Sequence, residues 1–352
     1  MFVIRFLLAA LVPVLAIADE AASKRVEPVI ATIETTLTTA SRQIRQFAFD
    51  GDRSTYFLSS QAPSESDHFT LVLDRPVAVT SIAVLSGKAD GTEAINTGAL
   101  EVSADGKAFE RLAPFAEGSA KGISVRGEVK AIRIKPGVAK HPVAIREVTI
   151  ESNPPVAVFR YPVEFVVDVT DAPEMKDWAD RAATLCERWY FRINEELKSD
   201  GFKPPQRISM ALKSSYKGVA EAGGGRIVGS VAFFKAHPND FGAMIHETCH
   251  IVQRYQGRGN PGWLVEGVAD YVRFFIFEPG KIGRINADPH YNDSYRTTAA
   301  FLAFVTDKYD KQLVLKLNTL MREGKYKNET FKDLTGKTLE QLDGEWRASL
   351  GK

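Results

Sequence analysis

Asn153-Pro154-Pro155 divides this chain into two stretches of different texture, and that division limits the folds open to it more than any other feature. Two consecutive prolines lack amide donors and favour extended backbone, so residues 153–158 read as a linker. Before it, residues 35–152 carry short runs rich in Val, Ile, Thr and Phe, broken by Gly, Asp, Pro and Ser. Phe69–Asp74, Val79–Leu85, Leu100–Ser103, Val129–Ile134 and Ile145–Ile150 alternate or form compact apolar runs, which predicts strands. Strands in series with no helix between them pack as a β-sandwich.

Beyond the linker the periodicity changes. Val163–Thr170 reads as a strand, and Trp178, Ala182, Leu185, Trp189, Phe191 and Leu197 mark a helix over Glu174–Lys198. Arg207–Lys213 returns to strand, Arg226–Phe234 reads as another after the Gly223–Gly225 turn, and helices dominate afterwards. The expected architecture of 159–352 is an α+β domain, its sheet built early and its helices placed late.

Among those helices one pattern carries chemistry. His246-Glu-Thr-Cys-His250 sets two histidines four residues apart, on one helical face, where both imidazoles can reach one ion. Asn239, after Pro238, is the expected cap of this helix, and Gln256-Gly257 its end. The pentapeptide alone also arises where two histidines merely pack on a helix, but the following residues narrow the choice. After the turn-rich segment 257–262, with Pro261 near its first turn, a second helix runs through Trp263–Arg273. An antiparallel return lets Glu266 face the histidines as a third ligand. Asp270, one turn later, can accept a hydrogen bond from the outward nitrogen of a ligating histidine. A solvated helix face is the plainer account of both acids, yet both interrupt an otherwise apolar run. Three protein ligands leave one tetrahedral zinc position for water, the arrangement of catalytic sites, with Glu247 as general base. The chemistry expected is hydrolysis of a peptide bond by a zinc-activated water.

The remaining features bound the setting. Lys and Arg number 45 against 44 Asp and Glu, a net +1, which removes the electrostatic argument for nucleic acid as a partner. Met1 to Arg5 is a short basic start, Phe6–Ile17 is apolar and Ala16-Ile17-Ala18 is a small-residue cleavage pattern. Residues 1–18 therefore read as a signal peptide, 19–34 as an N-terminal linker, and the mature protein as secreted or periplasmic. No other stretch is long and apolar enough to span a membrane. The cysteines, Cys186 and Cys249, either pair under oxidising conditions or stand as two separate buried thiols.

Two resemblances sharpen this reading. His246-Glu-Thr-Cys-His-Ile-Val-Gln253, followed by Pro261-Gly-Trp-Leu-Val-Glu-Gly-Val-Ala-Asp-Tyr-Val-Arg273, resembles the plant basic secretory protein family, classed as peptidases. The similarity extends from about Phe159 to the end and includes Ser294–Leu302. The chain departs from that family name in being nearly neutral. Its Glu-x-x-x-Asp element also resembles gluzincin metallopeptidases, which implies a zincin-like fold. That likeness implies a cleft bordered by the strand before the metal helix, making Ile227–Phe234 the expected edge for an extended substrate. It further implies a tyrosine or histidine that stabilises the oxyanion, for which His290, Tyr291 and Tyr295 are candidates, Tyr295 foremost.

In the first half, Ala48–Phe57 with its Asp-Gly-Asp turn, then Leu100–Phe109, then Ala144–Ile150 resemble, in order, a discoidin-type (coagulation factor type C) domain. The resemblance implies a galactose-binding-like jelly roll, a glycan or cell-surface ligand, and a structural calcium held by Asp50, Asp52, Thr55 and Glu147. A simple turn at Asp50-Gly51 with a solvated Glu147 is the alternative. The functional expectation is a secreted zinc peptidase targeted by its β-sandwich. The rival readings are a non-catalytic binding protein with a zinc-stabilised scaffold, and hydrolysis of a non-peptide amide.

Overall fold

The computed structural model describes residues 28–123, 125–255, 259–293 and 295–351. The segment 1–18, read above as a signal peptide, lies outside them. The first half builds β1 (Val29–Thr35), β2 (Phe57–Leu58), β3 (Phe69–Ser86), β4 (Gly98–Ser103), β5 (Glu110–Pro114), β6 (Ser119–Ile123), β7 (Glu128–Pro136) and β8 (Ala144–Asn153), then a short β9 (Val156–Ala157). The long β3 organises them. Its register shifts between Val72 and Val77, so the strand belongs to two layers. Its first part pairs with β1 and β7, and β7 continues to β4 and β5. Its second part pairs with β6 and β8, and β8 continues to β2. Phe57, Phe69, Ile82, Leu100, Ile132 and Ile145 are buried in the resulting core. The result is the expected antiparallel β-sandwich. Residues 29–34, read above as linker, instead form most of β1, because Val29, Ala31 and Ile33 alternate inward and their amides pair with β3. Within 153–158, β9 also pairs with β1.

The second half is a mixed sheet covered by helices. β10 (Glu164–Asp168) leads through α1 (Lys176–Glu196) to β11 (Arg207–Lys213), and β12 (Ala220–Gly223) turns back into β13 (Arg226–Ser230). The strand order is β10-β11-β13-β12, with β12 antiparallel at the edge. The stretch 226–234, expected to be one strand, splits: Ser230 ends β13 and its Oγ accepts from the Phe233 amide, capping α2 (Val231–Ala236). Val231 and Phe234 fall on one helical face and are buried. Then come α3 (Gly242–Gln253), α4 (Gly262–Tyr271), α5 (Tyr295–Lys308), α6 (Leu313–Arg322), α7 (Thr330–Thr335) and α8 (Leu339–Ser349). Among the described residues no helix is long and apolar enough to cross a membrane.

The two halves are fastened by buried polar contacts. Gln46 Oε1 accepts from the Val163 amide at 2.7 Å, and Thr39 Oγ1 donates to Glu164 Oε1 at 2.8 Å. Arg45 pairs with Glu187 of α1, and Phe49 meets Phe159 edge to face at 5.9 Å.

Candidate metal centre and its cleft

α3 is buried along most of its length, with Met244, Ile245, Cys249 and Val252 in the core, so its two histidines occupy the narrow strip that opens to a cleft. The helix starts later than expected. Asp240 Oδ1, rather than Asn239, receives the Ala243 amide at 3.2 Å, and Trp178 holds the entry by donating to the Pro238 carbonyl at 2.9 Å. It also ends earlier, where Arg254 takes a left-handed φ of 39° and Arg322 donates to the last carbonyls, those of Val252 and Gln253. Cys186 and Cys249 are both buried and unpaired.

α4 follows α3 and brings Glu266 and Asp270 to the histidines, then passes into a π-helical turn over Val272–Phe277. Glu266 Oε2 lies 3.1 Å from Nε2 of His246 and 3.1 Å from Nε2 of His250, and the two Nε2 atoms are 3.0 Å apart. The outer nitrogens fix the tautomers. His246 Nδ1 is 2.7 Å from Asp270 Oδ1, and His250 Nδ1 is 2.8 Å from Gln253 Oε1, whose amide nitrogen is spent on the Val265 carbonyl. A carboxylate and an amide oxygen only accept, so both Nδ1 atoms carry the proton. Both Nε2 lone pairs and a Glu266 oxygen are then aimed at one point, an arrangement that calls for a positive charge there. His246, His250 and Glu266 are accordingly a set able to hold a metal ion. In the metal-free protein a proton answers the same demand. Burial opposes charge on His246, but its hydrogen bonds to Asp270 and Glu266 raise it to about 9. Burial likewise opposes the Glu266 carboxylate, and the two histidines bring it down to about 2.

The cleft, about 850 Å³, is lined on one side by α3 and on the other by residues 218–222 at β12. Glu247 is 8% exposed and its carboxylate makes no hydrogen bond to another described residue. Burial raises its pKa, and the nearby histidines pull the other way. Tyr295, the first residue of α5, lines the cleft with its ring centre 6.3 Å from that of His246. His290 and Tyr291 do not line it. Both fold back onto α8, where Asp343 accepts from the Tyr291 amide at 2.8 Å and meets His290 Nδ1 at 2.9 Å. Nor does the expected edge, Ile227–Phe234, border the cleft: β13 is interior to the sheet, and β12 takes the edge. Gln253 and Tyr216, whose hydroxyl donates to Glu221 at 3.3 Å, belong to the site without having been singled out in the sequence. Gln253 sits one turn beyond His250, a spacing that could have flagged it.

In the sandwich, Asp50 accepts from Thr55 Oγ1 at 2.9 Å, while the Asp52 carboxylate turns outward to Ser54 and only its carbonyl reaches Thr55. Glu147 is buried rather than solvated, its Oε2 has no partner, and burial and then Asp50 push it up to about 7.

Residues 166–346 match the family model described as BSP, peptidase of plants and bacteria, over just more than half of the chain. The chain belongs to that family. The candidate metal ligands and Glu247 all fall within the matched BSP span. No curated protein matches the chain. Similar solved structures include CBM32-1 from a family 31 glycoside hydrolase of Clostridium perfringens, 18% identical, covering 34% of this chain and 93% of that one, with a TM-score of 0.30. Another is a pectin-binding carbohydrate-binding module, 20% identical over 36% of this chain and 92% of that one, with a TM-score of 0.28.

Proposed function

We propose that this BSP-family protein is an exported zinc peptidase of two modules, a β-sandwich over 29–157 and a catalytic domain over 159–352. The observation that carries the reading is the convergence of three lone pairs, from His246, His250 and Glu266, at 3.0–3.1 Å from one another. Tetrahedral zinc with bonds of about 2.0–2.1 Å holds its donors about 3.3 Å apart, close to that spacing, and two imidazoles with one carboxylate is a catalytic donor set. Zinc held there supplies Lewis acidity that polarises a carbonyl and acidifies water.

The chain's own residues do the rest. The edge of β12 offers unpaired amides and carbonyls to an extended peptide, which is bound as a further strand. Glu247, buried and unpaired, accepts a proton from the attacking water and passes it to the leaving amine. Tyr295 donates a hydrogen bond to the carbonyl oxygen as charge builds on it. Asp270 and Gln253 keep the histidine tautomers that leave both Nε2 atoms available. The sandwich, by the resemblance of its motifs, ties the enzyme to glycan or surface material and so raises local substrate concentration. Asp50, Thr55, the Asp52 carbonyl and the unpartnered Glu147 oxygen would hold a structural calcium, for which oxygen donors are suited.

Metal content by mass spectrometry, paired with cleavage of a mixed peptide library with and without chelator, tests the reading. Stoichiometric zinc and chelator-sensitive cleavage are expected, with Glu247→Gln keeping its zinc but losing about 10²–10⁴-fold in kcat. Zinc without cleavage would leave a binding role, and absence of zinc would remove the central claim.

A further inference from the structure

A second recess, of about 800 Å³, adjoins the cleft and shares His250, Arg254 and Tyr255 with it. Its charged walls come from three separated parts of the chain: Arg42 of the sandwich, Arg207 at the start of β11, and Arg254 just past α3. Among the described residues, no acidic side chain lines it. None of these guanidinium groups makes a hydrogen bond or ion pair with a described residue. By contrast Arg45, only three residues from Arg42, is committed to Glu187 and Glu164. That buried pairing, with Gln46 on Val163, holds the Arg42 segment against the catalytic half instead of leaving it tethered. Three guanidinium groups without a described partner around one hollow suit an anion, and for a peptide laid along β12 that anion is a carboxylate, which arginine's planar fork matches. Position adds direction. β12 ends at Gly223, and Gly223–Gly225 line the recess, so a peptide pairing with β12 runs from the metal centre towards the arginines.

We propose that the β-sandwich completes a carboxylate-binding subsite beside the metal centre, so that the enzyme selects peptides bearing an acidic group near the scissile bond. This rests on the peptidase reading for its use in catalysis, but not for its existence as a binding site. The three side chains are exposed, so the preference expected is about tenfold, the sum of a few solvent-screened ion pairs.

The test uses the intact, zinc-loaded chain and amidated peptides that differ only by Glu or Gln at successive positions, plus one neutral peptide with a free or amidated C-terminus. Two ratios of acid to amide are read, kcat/KM in cleavage and Kd from fluorescence anisotropy. A ratio of about ten at one position is expected, falling towards one in Arg42→Gln and in Arg207→Gln, and dropping below one, in favour of Gln, in the Arg42→Glu, Arg207→Glu double variant. If the ratio appears only for the free C-terminus, the carboxylate recognised is the end of the main chain. If it appears for internal Glu, it is a side chain. A ratio near one in the wild type, or one that both Gln variants leave unchanged, overturns the subsite. Should no peptide be cleaved, the peptidase reading fails, and the anisotropy ratio by itself decides the subsite. Thermal melts identify any variant that has lost its fold, and the remaining single variant then carries the comparison.

Discussion

Replacing Asp270 by Asn separates two effects that meet at His246. The Asp270 carboxylate is 5% exposed and sits 2.7 Å from His246 Nδ1, a charge-assisted hydrogen bond that makes Nε2 a better donor to metal. Removing its charge should weaken zinc binding about 10- to 100-fold, or about 1.4–2.7 kcal/mol. The same carboxylate, however, raises the proton affinity of His246, whose pKa rises from 6.5 to about 9 without metal. Zinc needs the neutral ring, so in the wild type a proton competes with it throughout that window. The protonated ring stabilises the metal-free fold fully below 6.5, and this contribution is lost as pH rises through about 9. Apparent zinc affinity should therefore climb about tenfold per pH unit across the window. In Asp270→Asn the slope should flatten, because the ring loses its proton earlier. The variant's deficit should then be largest near pH 9 and shrink towards neutrality. Competition against a chromophoric chelator from about pH 6.5 to about pH 9.5 measures both curves. A flat wild-type curve, or an affinity unchanged by the substitution at the alkaline end, would refute the tautomer argument.

Two further outcomes follow from packing and burial. Glu147, pushed up to about 7 by burial and Asp50, is held more easily neutral than charged, so metal-free stability should fall as pH rises from 4.5 through about 7. Calcium should restore it, and calorimetry at about pH 8 showing no calcium-dependent shift would dismiss that ion. At Gly267 an added Cβ would lie 2.1 Å from Thr298 Cγ2, where α4 backs onto α5. Gly267→Ala should thus cost about 1–3 kcal/mol and displace the helix carrying Glu266 and Asp270, seen as a lower melting temperature together with weaker zinc retention. A melt unchanged from wild type would mean that α5 yields freely.

The residues that the structure gathers at the candidate metal centre were legible because each depends on neighbours close in the chain. His246 and His250 share a face in any helix, as do Glu266 and Asp270 in the next. Strands β3, β7 and β8 likewise announce themselves by alternation. β12 did not, since Ala220–Gly223 is four residues long with no β-branched or aromatic side chain, and it becomes a strand by pairing with β13. The cleft edge that the gluzincin likeness implied, Ile227–Phe234, is a strongly apolar run, which suits an interior strand and not an exposed one. His290 and Tyr291, close in sequence to Tyr295, were drawn away by Asp343 more than fifty residues later.

By itself, then, the sequence determined the change from strands to helices and the spacing of the candidate metal ligands along each helix, because helical and strand periodicity are properties of contiguous residues. Only the tertiary structure decided which strand stands at the edge, which of the candidate tyrosines faces the cleft, and that Arg42 of the sandwich lines one recess with Arg207 and Arg254 beside the candidate metal centre. Those outcomes depend on which distant surfaces bury one another, and no local period records that choice.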